Sequence, residues 1–273
     1  MTAPAAAPLP APPGQVRPKW PAWFGFAALA GSLFVGAFAI AIMQIAVQAL
    51  GNKVSSHSSG VTLAGTVIAD LALAVSAVAL AAYVARPQPW HFGLRRTPLG
   101  RAVKWGVIVL VAYFAFQILY AISVHPDEKQ TTLKDLGAGS HGLITVVIGL
   151  VVVGMAPVVE EFFFRGFFYT SLRNRFSFVV AAAINGIVFG ALHAQTGVQA
   201  VPPLVVLGIA LCVLYEATGS ILPGIALHAL NNMLAFGVDK DGSWPVAIVV
   251  AGTVVLGCIV VPALGRPAQA APG

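Results

Sequence analysis

The chain has 273 residues, of which 58% are hydrophobic and only 9% are charged, and its formal net charge at pH 7 is +6. Because a soluble globular domain carries about 25% charged residues, this composition excludes a soluble enzyme and indicates a polytopic protein embedded in a lipid bilayer. Basic loops on one side of the bilayer explain the positive charge better than nucleic acid binding does, so no nucleic acid partner is expected.

Eight apolar segments follow a short N-terminal stretch rich in Ala and Pro, and each is near the length needed to cross a bilayer. The predicted fold class is therefore all-α, a polytopic integral membrane bundle of about eight transmembrane helices. We expect a disordered cytoplasmic tail at 1–19, three helices in 20–142, four core helices in 143–238, and a last helix with a short tail in 239–273. The apolar segments cover 22–50, 61–84, 102–124, 143–172, 178–193, 201–215, 221–238 and 245–264.

The loops between these segments predict the orientation of the chain. With the N-terminus in the cytoplasm, ten basic residues lie inside and four outside, so the positive-inside rule places both termini in the cytoplasm. The expected location is the cell membrane. The inside set is Arg17, Lys19, Arg86, Arg95, Arg96, Arg101, Lys104, Arg173, Arg175 and Arg266, and the outside set is Lys53, Lys129, Lys134 and Lys240. The tryptophans at segment edges, Trp20, Trp23, Trp90, Trp105 and Trp244, are expected in aromatic belts.

Four acidic residues touch the apolar segments. Glu216 lies just past the sixth segment, where we expect a solvated loop end. Asp70 lies in the middle of the second segment and would either pair with a polar group on another helix or mark a separate pathway. Glu160 and Glu161 are adjacent within the fourth segment, and a carboxylate in hydrocarbon costs several kcal/mol unless it is paired or hydrated.

Helical spacing separates the two adjacent glutamates. Residues four apart share a helix face, so Glu161 faces Arg165 and the two are expected to form an intramembrane ion pair. Glu160 points elsewhere and has no partner on its own helix. An acid in this position is a candidate functional residue.

Two histidines and an asparagine follow in the next segments: His193 ends the fifth, and His228 and Asn232 share one face of the seventh. Glu160 and His193 lie about 15 and 18 residues from the turn between the fourth and fifth segments. At 1.5 Å rise per residue, both reach roughly 22 to 27 Å along an antiparallel hairpin. The acid and the imidazole are therefore expected at a similar height.

This set of side chains is suited to hydrolysis. A carboxylate and an imidazole that share one water can polarise it for attack on a carbonyl, with Glu160 as the general base and His193 positioning the water. The N–H of His228 and the amide of Asn232 are donors suited to the oxyanion that forms. Glu161 and Arg165 would support the site by holding the helix face in register.

Other functions remain open from the residues alone. Glu160, Asp70 and the histidines would suit a proton-coupled transporter, and a continuous polar path from Asp70 to Glu160 would favour it. A zinc ion held by Glu160, His193 and His228 is the alternative to a metal-free site, although the chain has no H-E-x-x-H pattern. A non-catalytic scaffold is the remaining possibility.

Three motifs stand in order: Glu160-Glu161-x-x-x-Arg165, Phe189-x-x-x-His193 and His228-x-x-x-Asn232. Together they resemble the CPBP family, also called the Abi or CAAX-protease-like family of intramembrane proteases. That family includes the type II CAAX prenyl endopeptidase and bacteriocin self-immunity proteins. The resemblance covers about residues 143–236.

The resemblance implies an intramembrane endopeptidase acting on a peptide or a membrane protein. It also implies that Glu160 and His193 activate water and that His228 and Asn232 stabilise the oxyanion. We expect no cofactor, with one zinc ion as the alternative because the family has also been called metal-dependent. A non-catalytic protein of the bacteriocin-immunity type is the alternative within the family.

Overall fold

The computed structural model of the protein describes residues 17–50, 59–124, 142–194, 197–239 and 243–264. This described part is helical, with no strand, which confirms the predicted all-α class. Most of the predicted N-terminal tail (1–16) and the last nine residues (265–273) lie outside the described residues, as do 51–58, 125–141, 195–196 and 240–242. The four predicted outside lysines, Lys53, Lys129, Lys134 and Lys240, therefore lie outside the described residues.

Eight long helices follow one another in the described residues. Their bounds agree with the predicted segments to within three residues at either end. A short 3₁₀ turn, Pro89–Phe92, precedes the third helix, and another, Val198–Ala200, precedes the sixth. The helices are α1 Trp23–Ala49, α2 Ser59–Val84, α3 Leu99–Val124, α4 Leu143–Arg173, α5 Phe178–Leu192, α6 Val201–Thr218, α7 Leu222–Asp239 and α8 Trp244–Leu264.

Six of the described helices are long and apolar enough to cross a membrane, so the protein is an integral membrane protein. The other two, α5 and α7, are apolar but shorter. These two helices carry the predicted histidines. Both pack against a long neighbour, α5 against α6 and α7 against α8.

The helix α4 runs through the middle of the bundle and is not a uniform α-helix. Wider π-type turns at Leu150–Met155 and Phe162–Tyr169 flank the regular stretch Ala156–Glu161. Pro157 lies at the start of that stretch and has no N–H to donate to the preceding turn, which explains the first wide turn. Wide turns of this kind are frequent at functional sites, and here they enclose the two glutamates.

The phenylalanines of α4 form the centre of the hydrophobic core. Phe163, Phe164, Phe167 and Phe168 are each at most 2% exposed, so they are packing residues rather than lipid-facing ones. Close approach of α5 and α6 completes this core, because a Cβ on Gly208 would lie 2.7 Å from Cα of Gly186. Small residues allow helices to pack this closely in membranes.

Two expectations at the ends of the helices are wrong. Trp20 is 1% exposed and its ring centre lies 5.1 Å from the ring centres of Phe92 and Phe167, so it belongs to the core and not to an aromatic belt. Glu216 lies within the last turn of α6, where its carboxylate pairs with Arg173 at 2.8 Å and accepts a hydrogen bond from the Tyr169 hydroxyl at 2.7 Å. Apolar runs in the sequence predict where a helix lies, but they do not predict which residues at its ends contact side chains of other helices.

The end of the predicted tail also has a defined place. The Arg17 guanidinium donates a hydrogen bond of 3.2 Å to the backbone carbonyl of His91. The Asn174 amide, in the turn after α4, donates to the carbonyl of Trp20 at 3.0 Å. The chain is therefore already fixed to the bundle a few residues before α1 begins.

Candidate active site

A cavity of about 340 Å³ lies between α1, α2, α4, α5, α6 and α7. Its walls are mostly apolar, but polar side chains from five of these helices converge on it. The four predicted catalytic residues all line this cavity. Its polar and charged lining is Ser32, Thr66, Asp70, Glu160, His193, His228, Asn231 and Asn232.

Glu161 and Arg165 form the predicted ion pair on α4, with Nη1 of Arg165 2.7 Å from Oε1 of Glu161. Both side chains are fully buried. Arg165 also donates from Nη2 to the carbonyl of Gly208 on α6 at 2.9 Å, and its guanidinium lies 5.0 Å from the ring centre of Phe189 on α5. The pair therefore connects α4 to both neighbouring helices, which supports the structural part of its predicted role.

His228 on α7 lies between the two adjacent glutamates. Its Nδ1 is 3.1 Å from Oε1 of Glu161, a hydrogen bond, and its Nε2 is 3.8 Å from Oε2 of Glu160. Because the paired carboxylate of Glu161 accepts, Nδ1 carries a proton. Nε2 of a neutral imidazole then holds a lone pair and faces Glu160.

This arrangement changes the expected division of roles. His228 was expected only as an oxyanion donor, yet it is the imidazole directly beside Glu160. It can donate from Nε2 only when a second proton is present on the ring. Glu161 also does more than hold its own helix in register, because it orients the ring of His228.

His193 lies at the C-terminal end of α5, facing the same cavity. Its Nδ1 is 2.7 Å from the carbonyl oxygen of Phe189, one turn earlier. A carbonyl can only accept, so Nδ1 is the protonated nitrogen of the neutral ring, and Nε2 carries the lone pair. The Phe189-x-x-x-His193 spacing thus fixes the tautomer of the histidine through the backbone.

Asn232 lies one turn after His228 on α7 and also lines the cavity. Its amide nitrogen donates to the backbone carbonyl of Val152 at 2.9 Å, within the first wide turn of α4. Its amide oxygen accepts from Asn231 at 3.3 Å. One of the two amide hydrogens is therefore used to bind α4, and only the other can serve an oxyanion.

Asp70, on α2, lines the same cavity as Glu160. Its Oδ2 is buried and has no hydrogen-bond partner among the described residues. The sequence left open whether this acid belongs to the site or to a separate pathway, and the cavity brings it to the site. This proximity is one of the features that a transporter would also require.

Two residues near the site escaped the sequence analysis. Asn185 on α5 is fully buried and donates to the carbonyl of Phe164 at 2.9 Å, next to the glutamates. Gly224 on α7 faces Glu161, because a Cβ there would lie 2.8 Å from Oε2 of that glutamate. Asn185 could have been found from the sequence, because a polar residue inside an apolar run is unusual. Gly224 could not, because its proximity to Glu161 depends on how α7 packs against α4.

A zinc site was the alternative to a metal-free cavity. Among the described residues, no group of three or more His, Cys, Asp and Glu side chains is arranged to hold a metal ion. Of the three proposed ligands, His228 already uses Nδ1 to bind Glu161, while its Nε2 faces Glu160 at 3.8 Å.

Residues 142–234 match the family model described as type II CAAX prenyl endopeptidase Rce1-like. The match begins at the start of α4, ends within α7, and contains all three motifs. No curated protein and no solved structure shows significant similarity to the chain. The family resemblance predicted from the motifs is confirmed over this region, and it supports a protease whose substrate is a protein in the bilayer. Through its segment 142–234, the chain is similar to the CAAX-protease-like family.

Proposed function

We propose that this protein is an intramembrane endopeptidase in which Glu160 is the general base. The observation that carries the proposal is the position of its carboxylate: Oε2 is buried in the cavity, has no hydrogen-bond partner among the described residues, and lies 3.8 Å from Nε2 of His228. That separation is too long for a direct hydrogen bond, but both groups can contact one water at that spacing.

The positions of the protons around the cavity support the role of Glu160 as the general base. The Phe189 carbonyl holds the proton of His193 on Nδ1, so the Nε2 lone pair can accept a hydrogen bond from the same water and position it. Glu160 takes the proton as the water attacks the carbonyl carbon. It then returns that proton to the nitrogen of the leaving amine, so atoms and charge balance over the cycle.

The oxyanion is proposed to lie on the α7 side of the cavity. Asn232 can offer its second amide hydrogen there, because the first is bound to Val152. Nε2 of His228 becomes a donor while it holds the proton that Glu160 has taken from the water, and Glu161 stabilises this transient imidazolium. The proton then returns through Glu160 to the leaving amine. Preorganised donors of this kind contribute on the order of 3 kcal/mol each in other hydrolases.

We propose that the reaction is metal-free. The carboxylate and two imidazoles supply the proton transfers that a metal-bound water would otherwise need. The substrate is proposed to be a peptide or a membrane protein whose scissile bond lies in or near the bilayer. The proposed location is the cell membrane, with both termini in the cytoplasm.

The test is cleavage by the purified full-length protein in vesicles, with and without a chelator. A fluorogenic CAAX peptide, offered with and without a prenyl group, serves as the probe because the family model is that of a prenyl endopeptidase. Cleavage that survives chelation supports the proposal. Cleavage that chelation abolishes and added zinc restores would overturn the metal-free mechanism.

A proton-coupled transporter remains the second candidate, because Asp70 and Glu160 line one cavity. A non-catalytic immunity-type protein would carry the same motifs without using them. A pH-sensitive dye trapped in the vesicles separates these functions. Proton flux that is lost in Asp70→Asn favours transport, and the absence of both flux and cleavage favours the non-catalytic protein.

A further inference from the structure

A second cavity of about 470 Å³ lies on the other side of α7, between α3, α7 and α8. Its walls are apolar except near one end, where Arg96 and Thr97 line it. None of the described residues that line this groove is acidic. The groove shares no lining residue with the cavity that holds Glu160.

The length of the groove matches one leaflet of a bilayer. On α3 its lining runs from Leu99 to Leu110, which at 1.5 Å per residue is about 16 Å. Half of a typical hydrocarbon core is about 15 Å. The groove therefore extends from the end of the helix inward by the depth that one acyl chain occupies.

The polar end of the groove is strongly basic. Sequence positions 71–126 contain no Asp or Glu, while five Arg and Lys residues occur between Arg86 and Lys104. Arg96 is exposed at the mouth, and the buried hydroxyl oxygen of Thr97 beside it has no hydrogen-bond partner among the described residues. A guanidinium and a hydroxyl are suited to a phosphate group.

We propose that this groove binds an anionic phospholipid, with its phosphate on Arg96 and Thr97 and one acyl chain between α3, α7 and α8. The occupant must be both apolar over the depth of a leaflet and negatively charged at one end, and an anionic phospholipid meets both conditions. Juxtamembrane basic residues attract such lipids electrostatically.

The bound lipid would rest on the helix that carries the active-site histidine. On α7, Ala226 and Leu230 face the groove, whereas His228 and Asn232 face the catalytic cavity. These residues alternate between the two sides of one helix, as helical geometry requires. The proposal does not depend on proteolysis, because the groove and the cavity are separate.

The structure offers a variant that fills the groove without disturbing the backbone. Gly106 lines the groove, and a Cβ there would meet no atom within 4 Å, so a larger side chain can occupy the open space. Gly252 on α8 is a matched control, because a Cβ there also meets nothing within 4 Å and the residue does not line the groove. The variants are Gly106→Leu, Gly252→Leu and Arg96→Gln.

The experiment measures lipid binding to the full-length protein by native mass spectrometry, with phosphatidylglycerol and phosphatidylcholine of identical acyl chains. We expect one tightly bound phosphatidylglycerol, at least tenfold weaker binding in Gly106→Leu, and no change in Gly252→Leu. Arg96→Gln should reduce the preference for phosphatidylglycerol about fivefold while some binding of both lipids remains.

Four results would overturn the proposal. The first is equal binding of the two lipids to the unmodified protein, and the second is unchanged binding in Gly106→Leu. The third is displacement of phosphatidylglycerol by a prenylated peptide, which would make the groove a substrate site. Displacement by glycerol phosphate alone would show that the acyl chain contributes nothing and would also contradict it.

Discussion

Nδ1 of His228 donates a hydrogen bond of 3.1 Å to Oε1 of Glu161, joining α7 to α4 inside the bundle. The same oxygen accepts from Arg165 at 2.7 Å. One carboxylate oxygen thus fixes a guanidinium on its own helix and an imidazole on another. This contact predicts that Glu161 supports both folding and the geometry of the proposed active site.

The double role of Glu161 predicts that stability and activity can be separated. Arg165→Met alone leaves the buried carboxylate without its cation, and we expect a loss of about 3–5 kcal/mol. Adding Glu161→Leu removes that uncompensated charge, so the double variant should recover most of the stability. It should not recover cleavage, because His228 has still lost its orienting acceptor.

Thermal unfolding and cleavage rates of the two single variants and the double variant check this prediction. Recovery of cleavage together with stability would show that Glu161 acts only through folding. Failure of the double variant to regain stability would show that the cost comes from lost packing rather than from an unpaired charge.

Gly224 should be sensitive to the smallest substitution. A methyl group there would lie 2.8 Å from Oε2 of Glu161, and that carboxylate cannot rotate away without breaking its contacts to Arg165 and His228. We expect Gly224→Ala to lower the cleavage rate by about 10- to 100-fold, since small misplacements of active-site groups have effects of this size.

Gly252→Ala is the control for Gly224→Ala, because it makes the same chemical change in a helix where a Cβ meets no atom within 4 Å. Both variants gain helix propensity, worth up to about 1 kcal/mol. Steady-state cleavage by the two variants is the measurement. Equal rates would mean that the contact with Glu161 is absorbed by small movements elsewhere.

The carboxylate of Glu216 should matter for stability and not for catalysis. It pairs with Arg173 and Tyr169 but lies at the end of α6, with its side chain 26% exposed. Partly exposed pairs contribute about 1 kcal/mol or less. We expect Glu216→Gln to lower the melting temperature slightly and to leave cleavage unchanged.

Cleavage by Glu216→Gln, compared with the unmodified protein at a temperature where both are folded, tests this. A loss of cleavage comparable to that of a Glu160 variant would place Glu216 in the reaction and would require a different site. Unchanged cleavage by Glu216→Gln would also show that removing an acid does not by itself inactivate the protein.

The sequence predicts the helices closely and the site in part, and the reason is physical. Apolar runs of the length of a bilayer determine where α1 to α8 begin and end. Spacing by four predicts the Glu161–Arg165 pair because both residues belong to one helix. The rise per residue on either side of the turn between α4 and α5 places Glu160 and His193 at a similar height, and both line one cavity.

Contacts between helices could not be predicted in the same way. Whether His228 meets Glu160, Glu161 or both depends on the rotation of α7 against α4, and no local pattern encodes that rotation. The position of Asp70 in the cavity depends on how α2 packs on the core. The wide turns of α4 were not predicted from the sequence either, because Pro157 is the only sequence feature that indicates one of them.

The most direct test of the central claim is the cleavage rate of Glu160→Gln, measured on the probe that the unmodified protein cleaves. Glutamine keeps the shape of the side chain but cannot take a proton, so we predict a rate at least about 100-fold lower. Thermal stability should be unchanged, because Oε2 of Glu160 has no hydrogen-bond partner among the described residues. A Glu160→Gln protein that cleaves at a rate within a few-fold of the unmodified protein would contradict the account.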